Sequence, residues 1–252
     1  MIPGAFAVLA TTREVLDHPG LGPRLLAPWE LRRLDAIRVP ARRDDVLAAR
    51  LLLRLCAARL TGLPPEEAGP AQRCPDCARY GHGRPYLPGH PGLGLSLSHA
   101  DGLVAAAAGP GAVGVDVEPA GRRPGSLRTL RRLLPEADLP EADLPGNGLP
   151  GSDLPGTGPS GTGLFGTGLS GAEPPGSGLG ETGGPDDPVP ALLRAWVRAE
   201  ARFKAGPPAP EAVHHLTEWT DEGRAAVAAV VATTPPALLP PAAVLGGRPA
   251  GG

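Results

Sequence analysis

Two stretches of the 252-residue chain carry residues whose types and spacing suit phosphate chemistry. In Gly114-Val115-Asp116-Val117-Glu118 the two carboxylates stand two residues apart, so on an extended strand both project from one face. In Trp196-Val197-Arg198-Ala199-Glu200-Ala201-Arg202-Phe203-Lys204, Glu200 and Lys204 stand at i and i+4, on one side of a helix. Two strand carboxylates, a helix carboxylate and an amine one turn on would suit a pyrophosphate bound to Mg²⁺, because hard divalent cations take carboxylate oxygens, waters and substrate phosphates. Lys204 is the single lysine, every other member of the Lys/Arg set being arginine. A compact ammonium is not interchangeable with a guanidinium at a phosphate. Taken singly, each stretch also reads as ordinary structure: a buried strand ending in an acidic turn, and a solvated Glu-Lys helix pair.

The elements that must position these residues follow from periodicity. Residues 5–12 read as a first strand. The pattern from Trp29 to Leu60 is helical and interrupted at Pro40, with Asp44-Asp45 as a cap for Val46–Leu60 and with Gly62 and Pro64 ending it. Residues 73–92 read as a Cys/Gly/Pro/His-rich loop, and Leu93–Ser98 alternates as a strand with His99 at its end. Leu103–Ala108 and Ala112–Val117 read as a hairpin across Gly109-Pro110-Gly111 that delivers Asp116 and Glu118. A short basic helix is expected over Leu127–Leu134, the Glu200 helix over Ala191–Ala205, and strands over Ala225–Ala232 and Ala242–Leu245.

Composition bounds the rest. Aromatics make up 3 % of the chain, so Leu, Val and Ala must do most of the packing. A net charge of −2 gives no reason to expect nucleic acid or an anionic membrane as partner. The first ten residues lack a basic n-region and no run of about 18 apolar residues occurs, which points to a cytoplasmic protein. From Glu136 the sequence runs in pentads such as Glu-Ala-Asp-Leu-Pro and Gly-Thr-Gly-Leu-Ser. With 15 Gly and 9 Pro in the 46 residues from Pro145 to Pro190, the tract holds too little apolar surface to offset its ordering entropy and reads as a disordered insertion. Cys56, Cys74 and Cys77 do not make a disulfide framework. Cys74-Pro75-Asp76-Cys77 is a CxxC with His82 and His90 behind it. Its default reading is a reduced loop with inert thiols; a structural zinc and a redox motif are the alternatives.

In order, Gly83-Arg84-Pro85, Leu95-Ser96-Leu97-Ser98-His99-Ala100, Gly114 to Glu118 and Trp196 to Lys204 resemble the signatures of the 4′-phosphopantetheinyl transferase superfamily, of the larger surfactin-synthetase-activator type. Those signatures run Gly-(Lys/Arg)-Pro, Ser-His-(Ser/Ala), Gly-(Val/Ile)-Asp-(Val/Ile)-Glu and Trp-x-x-Lys-Glu-(Ala/Ser)-x-x-Lys. Each is weak alone; four in one order are specific. The resemblance covers residues 25–118 and 190–206.

The resemblance implies an α/β (α+β) fold of two similar α/β halves forming a pseudo-dimer. Residues 1–112 would be the coenzyme A side and 113–252 the metal side, interrupted by the insertion at 137–189. It implies Mg²⁺-dependent transfer of 4′-phosphopantetheine from coenzyme A to a serine of an acyl or peptidyl carrier protein, activating polyketide, non-ribosomal peptide or fatty-acid synthases, by a monomer. Asp116, Glu118 and Glu200 would hold the metal, and Arg43, Arg84, Ser98, His99 and Lys204 would contact coenzyme A. The serine proton would go to Glu136, Glu200 or a metal-bound water. Glu136 follows Glu118 at the family's spacing but also opens the first pentad, so it reads equally as a repeat residue. Three positions depart from the family pattern: Asp45 where it has an arginine for the 3′-phosphate, Ser96 for asparagine, and Ala199 for the lysine before the glutamate. They leave a second reading open, a degenerate member that binds coenzyme A or carrier protein without turnover.

Overall fold

The computed structural model describes residues 4–74, 77–123, 132–134, 188–207 and 213–246. It is a mixed α/β fold of two antiparallel-rich sheets stacked face to face, each covered on its outer side by a helix. The first sheet has the order β4-β5-β1-β9, from Leu93–Ala100, Leu103–Pro110, Phe6–Thr11 and Ala237–Leu239; only β9 joins in parallel. The second has the order β6-β8-β7, from Val113–Pro119, Ala226–Ala232 and His215–Asp221. The helix α3, Pro40–Thr61, covers the first sheet, and α4, Val189–Ala205, covers the second.

The layering follows from which side chains alternate. On β1, Phe6, Val8 and Ala10 face α3 while Ala7 and Leu9 face the second sheet. On β8, Ala226, Ala228, Val230 and Ala232 face the first sheet while Val227, Ala229 and Val231 face α4. Strands buried on both faces read as continuous apolar runs, as β5 and β8 do. Phe6 is the one aromatic among the buried core residues described, so the layers close on Ala, Val and Leu.

Helix α3 starts at Pro40, a full turn before the expected Asp44-Asp45 cap, because proline's fixed φ suits the first turn of a helix. Asp45 is therefore inside the helix and buried, where it accepts from Thr12 Oγ1 and, at 3.2 Å, from the Gly102 amide. The shorter helix α2, Pro28–Asp35, packs beside it through Glu30. That buried carboxylate takes Arg50 Nη1 at 2.8 Å, Arg54 Nη2 at 3.4 Å and the Ala27 amide at 2.8 Å. Removing one partner of a buried ion network leaves the others uncompensated. Glu30→Ala is therefore expected to cost about 3–5 kcal/mol in urea unfolding, where a surface glutamate would cost almost nothing.

The expected hairpin of 103–108 with 112–117 does not form. Strand β5 pairs with β4 and β1, whereas β6 leaves the sheet at Gly111 and pairs with β8. The hairpin instead joins β4 to β5 through Asp101 and Gly102, both at positive φ, as a tight two-residue turn requires. Residues 73–92 are not wholly loop: Ala71–Arg73 (β2) and Tyr80–Tyr86 (β3) form a two-stranded ribbon. Ala242–Leu245, expected as a strand, is a single helical turn, α5, led by Pro241. One further turn, α1 at Thr12–Leu16, caps β1. The pentad tract, Glu136 and all but the end of the expected helix at 127–134 lie outside the described residues. Among those residues no helix is long and apolar enough to cross a membrane.

Candidate active site

Val113, Val115 and Val117 take the positions of β6 that face the first sheet, which leaves Asp116 and Glu118 on the side of α4. Both are buried, at 5 % and 4 % exposure. Gly114 accounts for the closeness of that helix. A β-carbon at this position would collide with the Ala201 carbonyl oxygen and the Ala205 amide nitrogen, so strand and helix backbones touch there. Since Ala201 and Ala205 face the sheet, Glu200 and Lys204 flank the same contact from one turn to the next.

Lys204 Nζ donates to Asp116 Oδ1 at 2.6 Å and to the Val115 carbonyl at 3.1 Å. Ser98 Oγ donates to the same carboxylate oxygen at 2.7 Å. Asp116 Oδ2 is buried and accepts from no group among the described residues. Glu118 pairs with Arg122, which also reaches Asp101 at 3.4 Å. Ser96 Oγ accepts from the Val115 amide at 3.0 Å, so β4 holds β6 through two serine side chains rather than a ladder.

The electrostatics follow from that crowding. Burial first, and then the Asp116 charge, push the Glu118 carboxyl up to about 7 against the pull of Arg122. Burial and Asp116 also raise Glu200, with Lys204 opposing. His99 is pulled down to about 4, by burial first and then by the Lys204, Arg42 and Arg50 cations, so its ring is neutral at pH 7. Because the folded pKa lies below the ordinary 6.5, the unfolded chain binds the extra proton between about pH 4 and 6.5. Stability is therefore expected to rise with pH across that window and to be lost as pH falls through it. His99→Gln should flatten this acid limb in denaturant midpoints measured at successive pH values.

In kind, the donor atoms are those Mg²⁺ takes: they are oxygens alone, one buried carboxylate oxygen has no partner among the described residues, and two further acids carry charge that burial disfavours and a cation would favour. The carboxylates are not drawn into one cluster: among the described residues, three ligand atoms lie within 4.8 Å of one another only at Cys74, Cys77 and His82.

A cavity of about 670 Å³ opens beside Glu118 and Arg122 and is also lined by Thr12, Arg42, Asp45 and His99. Arg43, expected at the coenzyme A phosphates, points away from it to an exposed pair with Asp35 at 3.2 Å. Its neighbour Arg42 lines the cavity instead, together with Arg13 and Arg122. Its signal in the sequence was its spacing of three from Asp45, which puts both on one helix face. Arg84 lies against Gly206, at the C-terminal end of α4. Trp196 is partly buried between the apolar groups around Val197 and Leu192. The sequence reading also missed Arg122, four residues beyond Glu118. Comparison with protein-family models and with curated proteins finds no match for the chain.

Proposed function

We propose that the chain transfers 4′-phosphopantetheine from coenzyme A to a serine of an acyl or peptidyl carrier protein, with Mg²⁺ held by Asp116, Glu118 and Glu200. The observation that carries this reading is Asp116, a buried carboxylate with one oxygen fixed by Ser98 and Lys204 and the other without a partner among the described residues, near two acids that burial first and then its charge push toward their protonated forms. The order of the four motifs supplies the reaction. The two helix-covered sheets, with Ser98 and His99 on one and the carboxylates on the other, agree with two halves meeting at a site.

When bound, Mg²⁺ would supply charge neutralisation at the pyrophosphate and polarise the phosphorus under attack. The chain's own groups do the rest. Lys204 offers an ammonium beside Asp116, suited to the negative charge of the departing 3′,5′-ADP. Neutral His99 offers one ring donor to a phosphate oxygen, and Arg42 a guanidinium in the same cavity. Glu200, raised by burial and by the Asp116 charge, is a better proton acceptor than an ordinary carboxylate and is one candidate for the general base; Glu136 is the other.

A second reading is favoured by one observation. Lys204 and Arg122 occupy the carboxylates that a metal would need, and the three carboxylates stay apart. A chain frozen in that state would bind coenzyme A or carrier protein without turnover. Incubation with coenzyme A, Mg²⁺ and a panel of apo carrier proteins, read by intact-mass spectrometry, separates the two. A gain of one phosphopantetheinyl arm on a carrier supports transfer. Coenzyme A binding by calorimetry with no mass gain on any carrier supports the second reading and sinks the first.

A further inference from the structure

The β2–β3 ribbon is poorly supported by apolar burial. Its strands have three and seven residues, and Tyr80 and Tyr86 are both exposed. A lone two-stranded ribbon is marginal in water without another source of stability. Its turn brings together Cys74, Cys77 and His82, one ligand atom of each lying within 4.8 Å of the others, with Cys77 Sγ 3.2 Å from His82 Nε2.

The backbone is shaped to make that approach. The Cys74 amide donates to the Arg79 carbonyl at 3.0 Å and the Ala78 amide to the Cys74 carbonyl at 3.0 Å, which folds the chain around Cys77. Ala78 takes a φ of 56°, a left-handed conformation uncommon for a residue with a β-carbon. Beside His82, Gly83 lets β3 lie directly on Cys74: a β-carbon there would meet the Arg73 carbonyl oxygen at 3.0 Å and Cys74 Cα at 3.1 Å. A thiol–imidazole pair would need only Cys77 and His82, and a disulfide only the two cysteines. Convergence of all three is what a metal asks for.

We propose that Cys74, Cys77 and His82 bind one Zn²⁺, through two thiolate sulfurs and an imidazole nitrogen, with a solvent molecule in the fourth position. Such a donor set suits zinc and excludes Mg²⁺, which takes oxygens. Binding releases the two thiol protons to solvent and transfers no electrons. The ion clips the turn of the ribbon, and the clip is passed inward: Gln72 Nε2 donates to the Gly83 carbonyl at 3.1 Å, and Arg50 Nη2 to Gln72 Oε1 at 3.1 Å, joining the ribbon to the buried Glu30 network. None of the three ligands is among the residues assigned to the transfer reaction.

The test counts metal in the full-length chain purified in reductant, without chelator, from zinc-supplemented cells. About one zinc per chain is expected, with almost none in the Cys74→Ser, Cys77→Ser double variant and an affinity about tenfold or more weaker in His82→Ala. Replacement by Co²⁺ should give thiolate-to-metal charge-transfer absorption in the native chain and none in the double variant. Far-UV circular dichroism and a cooperative urea transition verify that each variant keeps its core. Freely titrating thiols with no zinc and no cobalt band would overturn the proposal. So would a Cys74–Cys77 disulfide, or equal zinc in native chain and double variant.

Discussion

Asp116→Asn is expected to lower carrier-protein modification by roughly a thousandfold or more, on the order of 4 kcal/mol of lost stabilisation at the phosphorus. The amide keeps the shape of the side chain and its oxygen can still accept from Ser98 and Lys204, so the substitution removes the charge and with it the ion pair to Lys204. Two readouts distinguish loss of the site from loss of the fold. Asp116 is the second cause, after burial, of the raised Glu118 and Glu200 carboxyls, so both should titrate lower in the variant by carboxyl-resolved NMR. Glu118 in the native chain holds its proton up to about pH 7, above its ordinary 4.5, so the folded state binds more protons in that window and stability falls as pH rises through it. In Asp116→Asn that fall should shrink. A variant that stays folded, shows the lowered carboxyl titrations and still transfers at the native rate would remove Asp116 from the chemistry and the metal with it.

How much of this was legible in the sequence depends on what each signal encodes. The spacing of Asp116 and Glu118, and of Glu200 and Lys204, encodes direction, and both pairs do face the strand–helix contact as strand and helix periods dictate. Spacing does not encode distance across the chain, so the direct bond from Lys204 to Asp116 could not be read. Proline and glycine at 109–111 marked a break correctly but carried no information on which strands pair across it. Asp101-Gly102 carries the hairpin chemistry, since both residues take the positive φ that a two-residue turn between β4 and β5 requires. The β2–β3 ribbon was invisible for a different reason: Gly81, His82, Gly83 and Arg84 alternate nothing apolar, so no strand period exists to detect. Arg43 and Arg42 differ only by 100° around a helix, so choosing between neighbouring positions decides whether the side chain meets the cavity or the outer surface.

Gly114→Ala should be the most damaging single methyl the described residues allow at the site. The added β-carbon meets main-chain atoms of Ala201 and Ala205, which no rotamer change can move, so α4 must lift from β6 or the strand must bend. Overpacking of a close-packed contact costs about 1–3 kcal/mol and more where backbone must shift; a loss of about 3 kcal/mol or more in urea unfolding is expected here. Gly121→Ala serves as the comparison, because a β-carbon there meets nothing within 4 Å. The same displacement separates Lys204 and Glu200 from Asp116, so transfer should fall further than stability alone accounts for, even at temperatures where the variant is fully folded. If Gly114→Ala proves as stable as Gly121→Ala, the helix does not press on the strand. The glycine of this motif would then serve the site in some way other than letting acid, amine and carboxylate meet across one backbone contact.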